Sequence, residues 1–197
     1  MTFTVGGCRV TVGFLFLAVL ALFFAVDRSG IAPVGTVCAA LHEGAHLAVM
    51  AAAGEPLREI RFTPFGIDIV KAGGANRSYR KDALVSLAGP FANLAAAALC
   101  FLSFRLRFPL FLGANLLLFA FNLLPVVPLD GGQALAALLC LRVEPERAVR
   151  IVSTVSFFVL LPLAAAGFFV LLRSRWNFSL LFASCYLMAL LLMKRER

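Results

Sequence analysis

The sequence predicts an all-α membrane protein of about six transmembrane helices, with a short β-hairpin-like cytoplasmic or membrane-associated loop around residues 59–70. Three observations predict it. The 197 residues are 62% hydrophobic and only 14% charged, with a mean hydropathy of +0.96, too little polar surface to cover a soluble core. Apolar runs recur along the chain, and several are long enough for a bilayer core of about 30 Å, which takes roughly 20 helical residues. A single polar interval shows the two-residue alternation of strands.

The first run, 10–26, ends at Val26-Asp27-Arg28-Ser29 without a clear small-x-small cleavage site. It reads as an uncleaved first helix, with a signal peptide as the alternative. The second run is 33–53. Between it and the third, 84–104, lies the polar interval, where Glu59-Ile60-Arg61-Phe62-Thr63-Pro64-Phe65-Gly66-Ile67-Asp68-Ile69-Val70 alternates around a Pro/Gly turn. We expect two short strands there, with a plain connecting loop as the alternative. An edge strand at this place can hold an extended peptide by main-chain pairing.

The fourth run, 108–141, spans 34 residues, too long for one straight crossing. Pro125 and Pro128 remove two backbone donors, and Asp130-Gly131-Gly132 follows, so the helix is expected to break. At membrane depth a break is tolerated only where protein or a water-filled cavity satisfies the freed backbone groups. The last two runs are 149–172 and 176–193. No internal repeat or soluble appendage is evident, so residues 1–197 are expected to form a single polytopic membrane domain with its core at about 33–141.

The formal charge of +8 would suggest a nucleic-acid partner in a soluble protein. Its placement argues otherwise. If the six segments alternate, one side collects Arg9, Arg58, Arg61, Lys71, Arg77, Arg80, Lys81, Arg142, Arg147, Arg150, Lys194, Arg195 and Arg197, and the other holds Arg28, Arg105, Arg107, Arg173 and Arg175. The positive-inside rule then puts both termini in the cytoplasm, with the lipid bilayer as the partner of the apolar surface and no nucleic acid. The five cysteines form no CxxC pair or framework spacing, and four of them lie in apolar runs as small hydrophobes.

The second run contains Leu41-His42-Glu43-Gly44-Ala45-His46. His42 and His46, four apart, project from one helix face at a spacing that suits two ligands of one zinc ion. Glu43 lies at the edge of that face and can activate a water without being a ligand. These are the chain's only two histidines, and each ionisable group near the bilayer centre costs about 2.5 to 3.5 kcal/mol, so three together need a reason. A polar helix-packing cluster is the bland alternative.

A catalytic zinc usually takes three protein ligands. Asp130 is the candidate third, being the only other acidic residue in any predicted membrane segment, and Cys38, four residues before His42, is the alternative. A metal transporter or carrier using the same His/Asp cluster is the rival function. It would tolerate loss of Glu43.

The pairing of His42-Glu43-Gly44-Ala45-His46 with Asn122-Leu123-Leu124-Pro125-Val126-Val127-Pro128-Leu129-Asp130-Gly131 resembles the site-2 protease family of intramembrane zinc metalloproteases. A third element, Ser86-Leu87-Ala88-Gly89-Pro90-Phe91-Ala92-Asn93, is similar to that family's Gly-Pro and Asn signature. The small layout without an inserted PDZ domain is similar to the branch containing the sporulation protease, stage IV sporulation protein FB. The chain stops at Arg197 without room for that enzyme's nucleotide-binding CBS domain, so ATP control and the same substrate are not carried over.

The resemblance implies a zinc endopeptidase of a bacterial cytoplasmic membrane, cleaving a membrane-tethered protein in regulated intramembrane proteolysis. Glu43 would be the base. Asn122 would bind the substrate backbone or the developing oxyanion, with an interhelical packing amide as the alternative. Asn93 reads as a packing residue, because Gly89 and the alanines around it suit close helix contact. The missing PDZ insertion points to a regulatory membrane protein, or an earlier cut, that controls access.

Overall fold

The computed structural model describes residues 1–5, 8–55, 57–63, 66–71, 78–104, 107–174 and 179–195. Among the described residues seven helices and four strands lie in the order β1 (Thr2–Val5), β2 (Cys8–Val12), α1 (Phe14–Val26), α2 (Ile31–Ala52), β3 (Leu57–Thr63), β4 (Gly66–Lys71), α3 (Tyr79–Phe104), α4 (Pro109–Asn122), α5 (Asp130–Leu139), α6 (Pro145–Ser174) and α7 (Ser179–Arg195). Three helices, α2, α3 over Tyr79–Ser103, and α6, are long and apolar enough to cross a bilayer, which marks a membrane protein. The expected six crossings are not reached on that criterion. Helix α1 has 13 residues, α4 has 14 and α7 has 17; at 1.5 Å per residue even α7 is only about 25 Å long.

The described chain divides into two compact units, Met1–Arg77 with Phe91–Phe119, and Ser78–Pro90 with Ala120–Arg197. Helices α3 and α4 contribute residues to both.

In the first unit the strands form one sheet in the order β1-β2-β3-β4. β1 and β2 are an antiparallel hairpin, β2 runs parallel to β3, and β3 and β4 are the antiparallel pair expected around residues 59–70. The first two strands were not foreseen. Residues 10–12, assigned to the first crossing, belong instead to β2, where Val10 pairs with Ile60 and Val12 with Phe62. Their alternation and β-branching were the available signal, in Thr2-Phe3-Thr4-Val5 and Cys8-Arg9-Val10-Thr11-Val12.

Side chains alternate across the sheet. Glu59 and Arg61 share one face, where the Arg61 guanidinium donates to the Glu59 carboxylate at 2.7 Å and the Thr11 hydroxyl donates to it at 3.2 Å. These contacts, Arg61 first, hold the Glu59 carboxyl below the usual range. On the other face the Phe62 ring lies 5.4 Å from that of Phe16 on α1.

A built turn starts α2. The Asp27 carboxylate accepts from the Ser29 backbone N–H at 2.8 Å, from the Ser29 hydroxyl at 2.6 Å and from the Ala32 N–H at 2.8 Å. Gly30 takes the left-handed backbone, at φ +79°, which costs glycine nothing. Pro33 follows inside the first turn, where its missing N–H leaves no bond unmade.

The long run 108–141, whose residues from Ala120 on belong to the second unit, breaks as its prolines require. Helix α4 stops at Asn122, the Val127-Pro128 bond is cis, and α5 starts at Asp130. Within the turn between them Val126 is buried, while Leu123 and Pro128 are exposed. Val126 and Leu160 are fully enclosed and pack with Leu187 and Leu191 of α7, with Phe121, Leu124 and Leu129 against them. Much of α6 faces outward with large apolar side chains, Phe158 at 68% and Phe169 at 63% exposure, as a lipid-facing helix would.

Candidate metal centre

Four residues of α2 are buried, Cys38, His42, His46 and Met50, and their spacing of four stacks them along one face. The histidine Nε2 atoms lie 3.1 Å apart, with ring centroids separated by 4.7 Å and planes crossing at 77°. The sequence expectation that both imidazoles share a face holds, and the atoms brought together are the two Nε2 nitrogens. Glu43, next to His42, is half-buried at the flank of that face.

Behind His42 the same unit carries a buried polar chain. His42 Nδ1 is 2.6 Å from Asn93 Oδ1 on α3. The Asn93 amide nitrogen donates to the Cys38 backbone carbonyl at 3.2 Å and to Asn115 Oδ1 on α4 at 2.7 Å. The Asn115 amide nitrogen donates in turn to the Phe111 carbonyl at 2.9 Å and to Cys38 Sγ at 3.1 Å. Asn93 and Asn115 are completely enclosed.

Two residues weighed in the sequence acquire definite partners here. Asn93, read as a packing amide, contacts the imidazole of His42. Cys38, the alternative ligand, has its thiol engaged by Asn115. Asn115 itself was overlooked. A carboxamide in the apolar stretch Leu112-Gly113-Ala114-Asn115-Leu116 was the available signal, since amides in such helices are usually hydrogen-bonded inward.

In the second unit, Asp130 is the first residue of α5, where a carboxylate meets the positive end of the helix dipole. Its placement depends on a close approach of backbone to backbone. A Cβ at Gly131 would collide with the Leu123 and Leu124 carbonyls, and one at Gly132 with Val126 and the Val127 nitrogen. The Val127 N–H donates to the Ser156 hydroxyl on α6 at 3.0 Å. Asn122 is the last residue of α4 and is half-buried.

Residues 106–163 match the sequence pattern of Peptidase family M50. The match encloses Asn122 and Asp130 and does not reach α2. No curated protein matches the chain. Among solved structures the chain is similar to the site-2 protease from Methanocaldococcus jannaschii, with a TM-score of 0.67 and 20% identity over 95% of this chain and 91% of that one.

The chain has the site-2 protease fold. That fold spans both units, from the strands of the first to the broken helix of the second.

Proposed function

We propose that this chain is an intramembrane zinc endopeptidase that cleaves a membrane-tethered substrate protein in regulated intramembrane proteolysis. The observation that carries the reading is the pair of Nε2 atoms, 3.1 Å apart on a buried face of α2 beside Glu43. Two imidazole nitrogens of this orientation suit a zinc ion. His42 and His46 are the proposed ligands, with Asp130 as the third. The match to a peptidase family over the segment that contains Asp130 supports counting it among the ligands. Neither comparison favours the metal-carrier alternative.

Zinc bound by these residues supplies Lewis acidity for both the attacking water and the scissile carbonyl. Glu43 takes the water's proton and returns it to the leaving amine, a role that general acid–base groups fill for a gain of about 10²–10⁴. The Asn122 amide donates a hydrogen bond to the substrate backbone or to the developing oxyanion.

A peptide bond inside a regular helix is shielded, so the substrate is extended when cut. Strand β4 ends the sheet order, and we assign it to main-chain pairing with that extended segment. The layout is that of the branch containing the sporulation protease, in a bacterial cytoplasmic membrane with both termini inside. Access is controlled by a regulatory membrane protein or an earlier cut; cleavage of a full-length substrate by the purified enzyme alone would count against that control.

The deciding experiment co-expresses the chain with a membrane-tethered candidate substrate, as wild type, Glu43→Gln and Asp130→Asn. Glu43→Gln should keep its zinc and lose cleavage. Unchanged processing in both variants would overturn the protease reading.

A further inference from the structure

The polar chain behind His42 is ordered in one direction by two backbone carbonyls. A carbonyl oxygen can only accept, so Phe111 O and Cys38 O each require an N–H opposite them. Asn115 answers the first with its amide nitrogen, which turns its oxygen toward Asn93. Asn93 answers both that oxygen and Cys38 O with the two hydrogens of its own amide nitrogen. Its oxygen is left facing His42 Nδ1 at 2.6 Å. Rotating the Asn93 amide by half a turn would set its oxygen against two acceptors with no hydrogen between them. In a fully enclosed site such a mismatch costs about 1–3 kcal/mol for each unpaired group.

We infer that Asn93, oriented by Asn115, is a positioning residue that commits His42 to its Nδ1–H tautomer and so leaves its Nε2, on the face shared with His46, unprotonated and able to act as an acceptor or ligand. Nothing in His42 itself sets that choice, because the two neutral tautomers of imidazole are close in energy and the outer hydrogen bond decides between them. The 3.1 Å contact with His46 then takes its hydrogen from His46 in the metal-free chain, since His42 Nε2 can only accept. The purpose of the unprotonated Nε2 rests on the zinc reading above. The tautomer itself does not.

The test uses the full chain in detergent micelles, labelled with ¹⁵N-histidine and freed of metal. With two histidines in the sequence, two imidazoles are read by long-range ¹H–¹⁵N correlation. We expect the His42 proton on Nδ1 in the wild type and in Asn93→Asp, which keeps the acceptor. In Asn93→Leu, and to a smaller extent in Asn115→Leu, the proton should redistribute toward Nε2. A wild-type His42 protonated on Nε2 would overturn the inference without any variant having to fold.

Cobalt(II) titration of the same samples gives the second readout. Asn93→Leu should bind roughly 10–100-fold more weakly than wild type, the usual effect of removing a ligand's outer hydrogen-bond partner, with Asn93→Asp restoring affinity. Equal affinity in wild type and Asn93→Leu would sink the positioning role. A wild type that shows the Nδ1–H form and takes up no cobalt would overturn the metal reading while supporting the amide pair.

Discussion

The backbone N–H of Val127 donates to the hydroxyl of Ser156 across 3.0 Å, and the same hydroxyl donates to the Val152 carbonyl one turn back on α6 at 2.7 Å. A single serine thus joins the turn ahead of Asp130 to the middle of a long apolar helix. The turn needs this partner, because an amide shielded from water, as that of Val127 is in part, must find an acceptor.

Ser156→Ala should therefore leave the part-buried Val127 N–H without this acceptor. The expected loss is about 1–3 kcal/mol of stability, read as a lowered unfolding midpoint in detergent. Ser156→Thr, which keeps the hydroxyl, should lose less.

Gly132→Ala tests the seating of α5 on the same turn. The added methyl would meet the Val126 carbonyl and the Val127 nitrogen, both backbone atoms, so relief requires moving the turn or the helix. Overpacking of this kind costs about 1–3 kcal/mol and sometimes more. Because Asp130 begins that helix, the variant should also lose metal affinity. Gly113→Ala, at a position with open space around the glycine, is the control and should change neither property.

Acid should loosen the start of α2. Hydrogen bonds from the Ser29 hydroxyl, the Ala32 N–H and the Ser29 N–H hold the Asp27 carboxyl below its ordinary value. A carboxyl whose folded pKa is depressed contributes stability above its unfolded pKa, about 3.9, and that contribution is lost as pH falls through the lower folded value. Hydrogen exchange at Ala32 should accelerate over that acid window beyond the intrinsic trend. Asp27→Ala should show faster exchange at neutral pH and no such acid transition.

Zinc should stabilise the folded chain by mass action. At 100 times the dissociation constant the gain is about 2.7 kcal/mol for one site that the unfolded chain lacks. The thermal midpoint of the metal-free protein should rise on adding zinc, and the rise should disappear in His46→Ala. An equal rise in both would place the metal elsewhere.

Several features were legible in the sequence because their causes are local. The stacking of His42 over His46 follows from the pitch of a helix, the break after Asn122 from prolines that cannot donate, and the β3–β4 hairpin from alternation around Pro64 and Gly66. Other features depend on partners far away in the chain. Residues 10–12 look like the start of an apolar helix until β3 supplies a strand to pair with, and that pairing leaves α1 with 13 residues.

Hydrogen-bond direction is the clearest case. An asparagine in an apolar run announces that it needs partners without saying which. Whether Asn93 faces a neighbouring helix backbone or the imidazole of His42 is decided by the Phe111 and Cys38 carbonyls, which are positioned only once α2, α3 and α4 have folded against one another. The sequence by itself determined which residue types can hold a metal ion and where the helices must stop; the tertiary structure decided which nitrogen each histidine turns toward the other, because ring orientation is set by contacts and not by spacing alone.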